Sequence, residues 1–535
     1  MGLVPISRRL SVVPEPAPAR RLARSTLLVM AAMLASTGLG FAREVVTARF
    51  FGASWQLDAY LAALVVPTIL FGVFNGALMS ALVPIFADYV ATERETEAVR
   101  LATTLITVIT AVLALAAVGG WVFAPYYVPL IVHFPHDRLA VTVEMTRWLM
   151  PTIVATSLSG IVAAILNAYQ RFAAAALQGV VLNVAVIAVV EIGFGRLGIQ
   201  ALVVGTVLGY FAQLAVQMPA FFELGGFRWI VDLRHSGVRR VLETLGPVAV
   251  GSAAGQVALF FDRFFASGLN EGSISGMNYA VKIVGFPQQL FVTAIATVIF
   301  PVLATHFAHR NRVAMRQSVA TGLKLVVFLT VPSALGLIML AGPIVRTLFE
   351  RGAFTPSATV LCAALLPFAA AGLVALAANV ILTRCTFACR KERATVVVSV
   401  LTVIANVVLS ILWLPALGAR GLLLANTVSQ TLQTIALGCI VWRVAGGFDV
   451  VAIGRSGLKV LGCSSLMVAA LLVVQSFEPP IPDTELARIV SLGEHLAFGA
   501  AVFLGLARLF DSEEVHLAIE LLIKRQRPRE LFPLP

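Results

Sequence analysis

The sequence predicts an all-α polytopic membrane protein of about 14 transmembrane helices: two pseudo-two-fold six-helix lobes followed by a C-terminal helix pair. Three observations lead there. Of the 535 residues, 59% are hydrophobic and only 12% charged, with a mean hydropathy of +0.93. The basic residues fall on alternate loops. The second half of the chain repeats the first. So apolar a surface cannot be covered in water, which excludes a large soluble domain and points to lipid as the solvent.

A bilayer-spanning helix needs about 20 predominantly apolar residues. Such stretches run at roughly 25–50, 57–89, 99–123, 139–169, 173–192, 198–222, 238–268, 275–306, 314–341, 357–383, 394–414, 419–442, 456–475 and 489–508. The organisation expected from them is a basic cytoplasmic tail (1–24), an N-terminal lobe (25–222), a C-terminal lobe (223–442), an extra helix pair (443–510) and an amphipathic cytoplasmic tail (511–535). Arg20, Arg21 and Arg24 before an apolar run, with Gly40-Phe41-Ala42 after it, resemble a signal peptide. The mid-chain counterpart of this first segment argues against that reading.

The net charge of +12 looks like a nucleic-acid signal, but its distribution gives another reason for it. With the amino terminus inside, the inner loops and tails hold about 27 of the 39 Lys and Arg, and the outer loops about six. Arg234, Arg239, Arg240, Arg310, Arg312, Arg390 and Lys391 are among the inner ones. An even helix number then places both termini in the cytoplasm of a cell with a bacterial inner membrane, and no nucleic-acid partner is expected.

The repeat has an offset of about 220 residues. Phe41-Ala42-Arg43 recurs as Phe261-Asp262-Arg263, Ala81 to Ala87 as Val298 to Ala304, and Gly198 to Leu202 as Gly418 to Leu422. Pro67 is echoed by Pro287 and Asn183 by Asn406. The copies begin at odd-numbered segments, so they share an orientation and are related by an axis along the membrane normal, with a path between lobes.

Ionisable residues within membrane helices are costly and usually functional. Arg43 and Arg263 occupy one repeat position, and Lys282 follows on the next helix. Together they suggest a cationic cavity between the lobes, with Glu44, Asp58, Arg49 and Asp262 nearby. Arginine binds phosphate bidentately and keeps its charge, so such a cavity suits an anionic headgroup, above all a pyrophosphate. The competing account is that pairs such as Arg43 with Asp262, or Glu44 with Arg49, only lock helices together. For Glu144, Arg147, Glu191 and Lys324, near helix ends, the interfacial or structural reading prevails.

Pro67, Pro287 and Pro332, with Gly38, Gly40, Gly72 and Gly76, are expected to bend helices or let them pack closely. Cys385 and Cys389 lie one turn apart without further ligands, so the five cysteines read as apolar filler and no metal centre is expected. No Gly-x-x-x-x-Gly-Lys-Ser/Thr loop or catalytic triad is present, so neither an enzyme nor a built-in ATPase is expected.

Several ordered stretches resemble the lipid II flippase family (MurJ/MviN) of the multidrug/oligosaccharidyl-lipid/polysaccharide exporter superfamily. They are Leu39-Gly40-Phe41-Ala42-Arg43-Glu44 through Arg49-Phe50-Phe51-Gly52-Ala53 to Asp58-Ala59-Tyr60, then Leu82 to Tyr89 and Ile165 to Phe172. The second lobe adds Tyr279 to Ile283, Phe286-Pro287 and Leu348 to Thr355. The resemblance covers all but the two tails. It implies a flippase that moves undecaprenyl-pyrophosphate-linked peptidoglycan precursor from the inner to the outer leaflet by alternating access, with a cationic cavity for the headgroup and a groove beside the last helix pair for the lipid tail. By position, Arg43 matches the family's cavity arginine and Asp58 its acid, while Lys282 stands where the family has arginine. Some relatives bind sodium in the second lobe, for which Asp262, Asn406 and Ser410 are candidates. No cofactor is expected; ion coupling or dependence on membrane potential stays open. The partners implied are the polyprenyl-pyrophosphate glycan lipid and membrane lipids, with the protein a monomer, alone or alongside cell-wall synthesis proteins.

The departures bear on the substrate. The family arginine six residues before Arg43 is Thr37 here, and its arginine pair after the second-helix proline is replaced by uncharged residues around Gly72. Transport of another polyprenyl-linked glycan, a drug antiporter and a non-transporting membrane scaffold are the alternatives.

Overall fold

A computed structural model describes residues 19–92, 94–224, 231–309, 311–478, 484–511 and 514–515. Among them the chain is helical throughout, without a strand. In order the helices are α1 (Ala19–Phe51), α2 (Trp55–Ala63), α3 (Val65–Ala91), α4 (Glu95–Ile131), α5 (His136–Leu149), α6 (Thr152–Ala168), α7 (Phe172–Ala176), α8 (Gln178–Leu197), α9 (Gln200–Ala215), α10 (Met218–Phe222) and α11 (Ser236–Ser267). There follow α12 (Ser273–Pro287), α13 (Thr293–Ala308), α14 (Arg312–Met339), α15 (Ala341–Phe349), α16 (Pro356–Ala371), α17 (Leu373–Ala388), α18 (Glu392–Leu417), α19 (Ala419–Ala445), α20 (Val450–Phe477) and α21 (Glu485–Leu509).

Every apolar stretch expected from the sequence is helical, but several are broken. The second divides at Leu64, with Pro67 in the first turn of α3 rather than at the break. The fourth divides at Met150-Pro151, a break the sequence reading missed. The eighth is broken where expected, at Pro287, which leads into a π-helical turn over Gln288–Val292. Pro332 lies inside an unbroken α14, and α1 runs uninterrupted through Gly40–Ala42.

Ten helical spans are long and apolar enough to cross a bilayer, or 11 counting the bent pair α16–α17. The expected count of 14 is therefore not reached by that measure among the described residues. The expected spans not counted there are α11, α12–α13 and α19. α11 carries Arg239, Arg240, Glu243, Asp262 and Arg263, α12 carries Lys282, and α19 is studded with Asn426, Gln430, Gln433 and Thr434. Polar residues at membrane depth must face protein or water. Conversely, Ile192 and Phe477 are more than four-fifths exposed, an arrangement suited to lipid.

The chain divides into two compact units: residues 1–47 with 59–256, and residues 48–58 with 257–535. In the first, Leu82 and Phe86 of α3, Leu101 of α4, Ile161 and Ile165 of α6, and Val241 of α11 form the core. In the second, α13, α14, α17 and α19 share one core around Ile299, Val326, Ile381 and Leu437. The last helix pair joins through a second core in which the Phe328 and Phe503 rings lie 5.1 Å apart.

The repeat is visible in backbone angles. Gly198 (φ 54, ψ −132) ends α8 and Gly418 (φ 56, ψ −133) ends α18, two left-handed turns that a side chain would strain. Gln170 (φ 59) and Arg390 (φ 55) likewise share a left-handed kink at matching positions. The cytoplasmic tail expected at 511–535 lies almost wholly outside the described residues.

Candidate substrate site

Each unit contributes one cationic cluster. In the first, Arg43 sits in the C-terminal part of α1, its guanidinium donating to Glu44 Oε1 at 3.0 Å while 27% of the side chain stays exposed. Tyr60 of α2 and Tyr210 of α9 lie within electrostatic reach of it. The Tyr60 hydroxyl is fixed by Thr206 Oγ1 at 2.7 Å, and Tyr210 is one turn further along α9. Glu44 pairs with Arg43; an anion arriving there would meet a guanidinium already oriented.

In the second unit, Arg263 of α11 reaches into α12. It donates to the Ile274 carbonyl at 3.2 Å and to Asn278 Oδ1 at 3.4 Å. Lys282 is one turn beyond Asn278 and is exposed. The structure thus brings Arg263 and Lys282 to neighbouring turns of one surface.

Asp58 has a role that the sequence did not reveal. Its Oδ2 accepts from the Gly272 N–H and its Oδ1 from the Ser275 N–H, both at 2.7 Å, and the residue is buried. α12 has no cap of its own, so this carboxylate satisfies amide groups that helix geometry leaves open and complements the dipole there. Arg263 lies within its electrostatic reach. The segment 48–58 carrying Asp58 is knitted in further. Ala353 N–H donates to the Arg49 carbonyl at 2.8 Å and Tyr279 Oη to the Gly52 carbonyl at 3.1 Å. A Cβ on Gly52 would fall 2.3 Å from the Ala353 carbonyl oxygen. The Arg49–Ala53 and Leu348–Thr355 motifs, far apart in sequence, thus touch through backbone. The Arg49 side chain is exposed and stacks over Phe50, 5.3 Å from the ring centroid.

Asp262, Asn406 and Ser410 share a different property. Asp262 Oδ1, Asn406 Oδ1 and Ser410 Oγ are buried without a hydrogen-bond partner, a costly state for polar oxygens. Asn426 of α19 bonds the Asp262 side chain, and α19 packs along α18, which carries Asn406 and Ser410 one turn apart. Orphaned oxygens of this kind fit an alkali cation. Among the described residues no three His, Cys, Asp or Glu side chains gather as a metal cluster. Arg147 matches its structural reading, its Nε donating to the Trp121 carbonyl at 3.1 Å.

Comparison with known proteins bears on what these clusters serve. The family model described as lipid II flippase MurJ matches residues 47–488. The chain belongs to the lipid II flippase MurJ family. A relative from Burkholderia cenocepacia, named lipid II flippase MurJ, is 30% identical over 427 residues, covering 78% of this chain and 83% of its own. Another, from Rhizobium meliloti, is 30% identical over 467 residues, covering 84% and 86%. Among solved structures, a lipid II flippase MurJ in an inward closed conformation aligns at TM-score 0.77 and 22% identity over 90% of this chain and 98% of that one. An inward-facing multidrug resistance MATE family transporter of the MOP superfamily aligns at 0.65 and 13% identity, over 80% and 99%. At these identities the two structures speak for the fold. The chain is accordingly a multi-pass inner-membrane protein of the MurJ family.

At Thr37 and Gly72, where the sequence departs from the pattern of the family, the groups present are neutral. The Thr37 hydroxyl bonds its own helix at the Met33 carbonyl, 3.0 Å away. Gly72 is covered by the Gln256 amide, which would lie 2.3 Å from a Cβ there. Tyr60, Tyr210 and Asn278 were missed in the sequence. Asn278 was open to discovery through the repeat, since it stands where the first copy has Asp58.

Proposed function

We propose that this chain flips lipid II, the undecaprenyl-pyrophosphate-linked peptidoglycan precursor, from the inner to the outer leaflet by alternating access. The observation that carries this reading is the match of the lipid II flippase family model across residues 47–488. Arg43, Arg263 and Lys282 bind the pyrophosphate, each arginine offering a planar fork to two phosphate oxygens. Glu44 orients Arg43. Asp58 acts by fixing the start of α12, and with it Asn278 and Lys282, rather than by touching the lipid. Arg49 completes the cationic set. The lobes comprise residues 25–222 and 223–442, related by rotation about the membrane normal, and residues 443–510 flank the groove for the prenyl tail. Both termini lie in the cytoplasm, in keeping with the Lys and Arg distribution, and the protein works as a monomer.

Asp262, Asn406 and Ser410, with Asn426 beside Asp262, would hold a sodium ion, which would supply a positive charge to neutralise Asp262.

Mass spectrometry of lipids retained by the purified protein tests the substrate. Lipid II in the retained fraction is the expected result. A different polyprenyl-linked glycan would establish the second reading, which the neutral groups at Thr37 and Gly72 favour; the absence of any polyprenyl lipid would contradict both.

A further inference from the structure

We propose that His235 and Glu97 form a clasp that fixes the start of α11 on α4, and that transport depends on this clasp. His235 stands one residue before α11, whose other end carries Asp262 and Arg263, and the connection it belongs to, before α11, joins the two halves of the repeat.

The imidazole of His235 is buried and fully engaged. Nε2 lies 2.8 Å from Glu97 Oε2, and Nδ1 accepts the Gly237 N–H at 3.0 Å. Only one neutral tautomer satisfies both bonds, with the proton on Nε2. Tyr89 of α3 lies beside the ring, centroids 6.1 Å apart. Next to the clasp, the Asp232 N–H donates to Thr104 Oγ1 at 3.1 Å, and Asp232 pairs with Arg100 at 3.7 Å. Arg240, one turn into α11, approaches Asp88 at 3.7 Å. A Cβ on Gly237 would fall 2.7 Å from a Leu101 methyl, so this turn is seated directly on α4.

α11 is the element that the two units share: its residues to Gln256 belong to one and those from Val257 to the other. The helix that presents Asp262 and Arg263 is therefore anchored, at its far end, by His235 and Glu97. Apolar side chains would seat the connection against Leu101 and Tyr89 equally well. Two directional bonds from one ring do something else, which is to fix the register at which the helix begins. His235 and Glu97 are thus positioning residues for the helix that carries substrate-side charge, and the activity arm of the inference rests on the flippase reading.

The test uses the full chain in proteoliposomes, with exposed Cys439 replaced by Ser. Glu97→Ala and His235→Asn are each expected to lower the initial rate of lipid II flipping about tenfold, since each removes a bond to a charged or buried group. Binding of lipid II, titrated separately, should stay within about twofold of the parent. Glu97→Gln keeps an acceptor oxygen and should flip at close to the parental rate. A disulfide between Thr104→Cys and Asp232→Cys should restore flipping to the Glu97→Ala protein and leave the parent active. Parental rates in Glu97→Ala, a Glu97→Gln as poor as Glu97→Ala, or a disulfide that blocks the parent or fails to rescue would each overturn the clasp. Limited proteolysis between Val231 and Arg234 judges it without transport: the parent should resist cleavage where Glu97→Ala is cut, and equal cleavage would count against it. If the parent bound and moved no lipid II while the proteolysis contrast held, the substrate reading alone would fall.

Discussion

Asp58 and Ser275 stand 217 residues apart, yet the carboxylate of the first accepts the backbone N–H of the second at 2.7 Å. With the Gly272 N–H on its other oxygen, Asp58 is a helix cap delivered from a distant segment. This acid at a membrane-helix start supports the helix bearing Asn278 and Lys282.

Replacing that carboxylate should therefore cost stability first. Asp58→Ala leaves two amides at the start of α12 without their acceptor, a loss of about 1–2 kcal/mol. Asp58→Asn keeps one acceptor oxygen and should lose less. Thermal unfolding of the purified protein in detergent should rank parent above Asn above Ala. An Ala variant as stable as the parent would remove the capping role.

Sodium should stabilise the protein. Because Asp262, Asn406 and Ser410 each leave a buried oxygen unpartnered, an ion that binds only the folded state raises stability by about 2.7 kcal/mol at a hundredfold excess over its dissociation constant. The expected observation is an unfolding midpoint that climbs with sodium chloride but not with potassium chloride. Asp262→Asn and Ser410→Ala should flatten the sodium curve. A parent indifferent to sodium would show that these oxygens serve another purpose.

Topology can be read with reporter fusions. A fusion at the carboxyl terminus should report the cytoplasm and one in the loop between Ser476 and Glu485 the opposite side, as the bias of basic residues requires. Identical signals from the two sites would refute the arrangement.

The helical class was legible because lipid imposes it: long apolar runs can only be helices, and loops must carry the charge. The repeat was legible through Gly198 and Gly418, whose matching turns need the same small residue. Breaks were harder. Pro287 interrupts its helix, but Pro332 does not, since neighbouring helices can absorb a missing hydrogen bond. α19 spends part of its apolar character on interior polar contacts, Gln430 and Thr434 with Asn379 of α17. Of the residues proposed for the site, Arg43 and Arg263 stood out by charge and repeat position. Tyr60, Tyr210 and the Asp58 cap did not, because a neutral hydroxyl or a long-range backbone contact leaves no periodic trace.

The most direct test of the central claim is complementation in a bacterial strain depleted of its own lipid II flippase, with membrane levels of each variant checked by blot. The parent should restore growth. Arg43→Ala should insert at normal levels and restore none, and Arg43→Lys should restore part, since an ammonium lacks the planar fork that grips two phosphate oxygens. A parent that fails to restore growth at normal levels, or an Arg43→Ala protein that restores it fully, would contradict lipid II flipping through a cationic cavity.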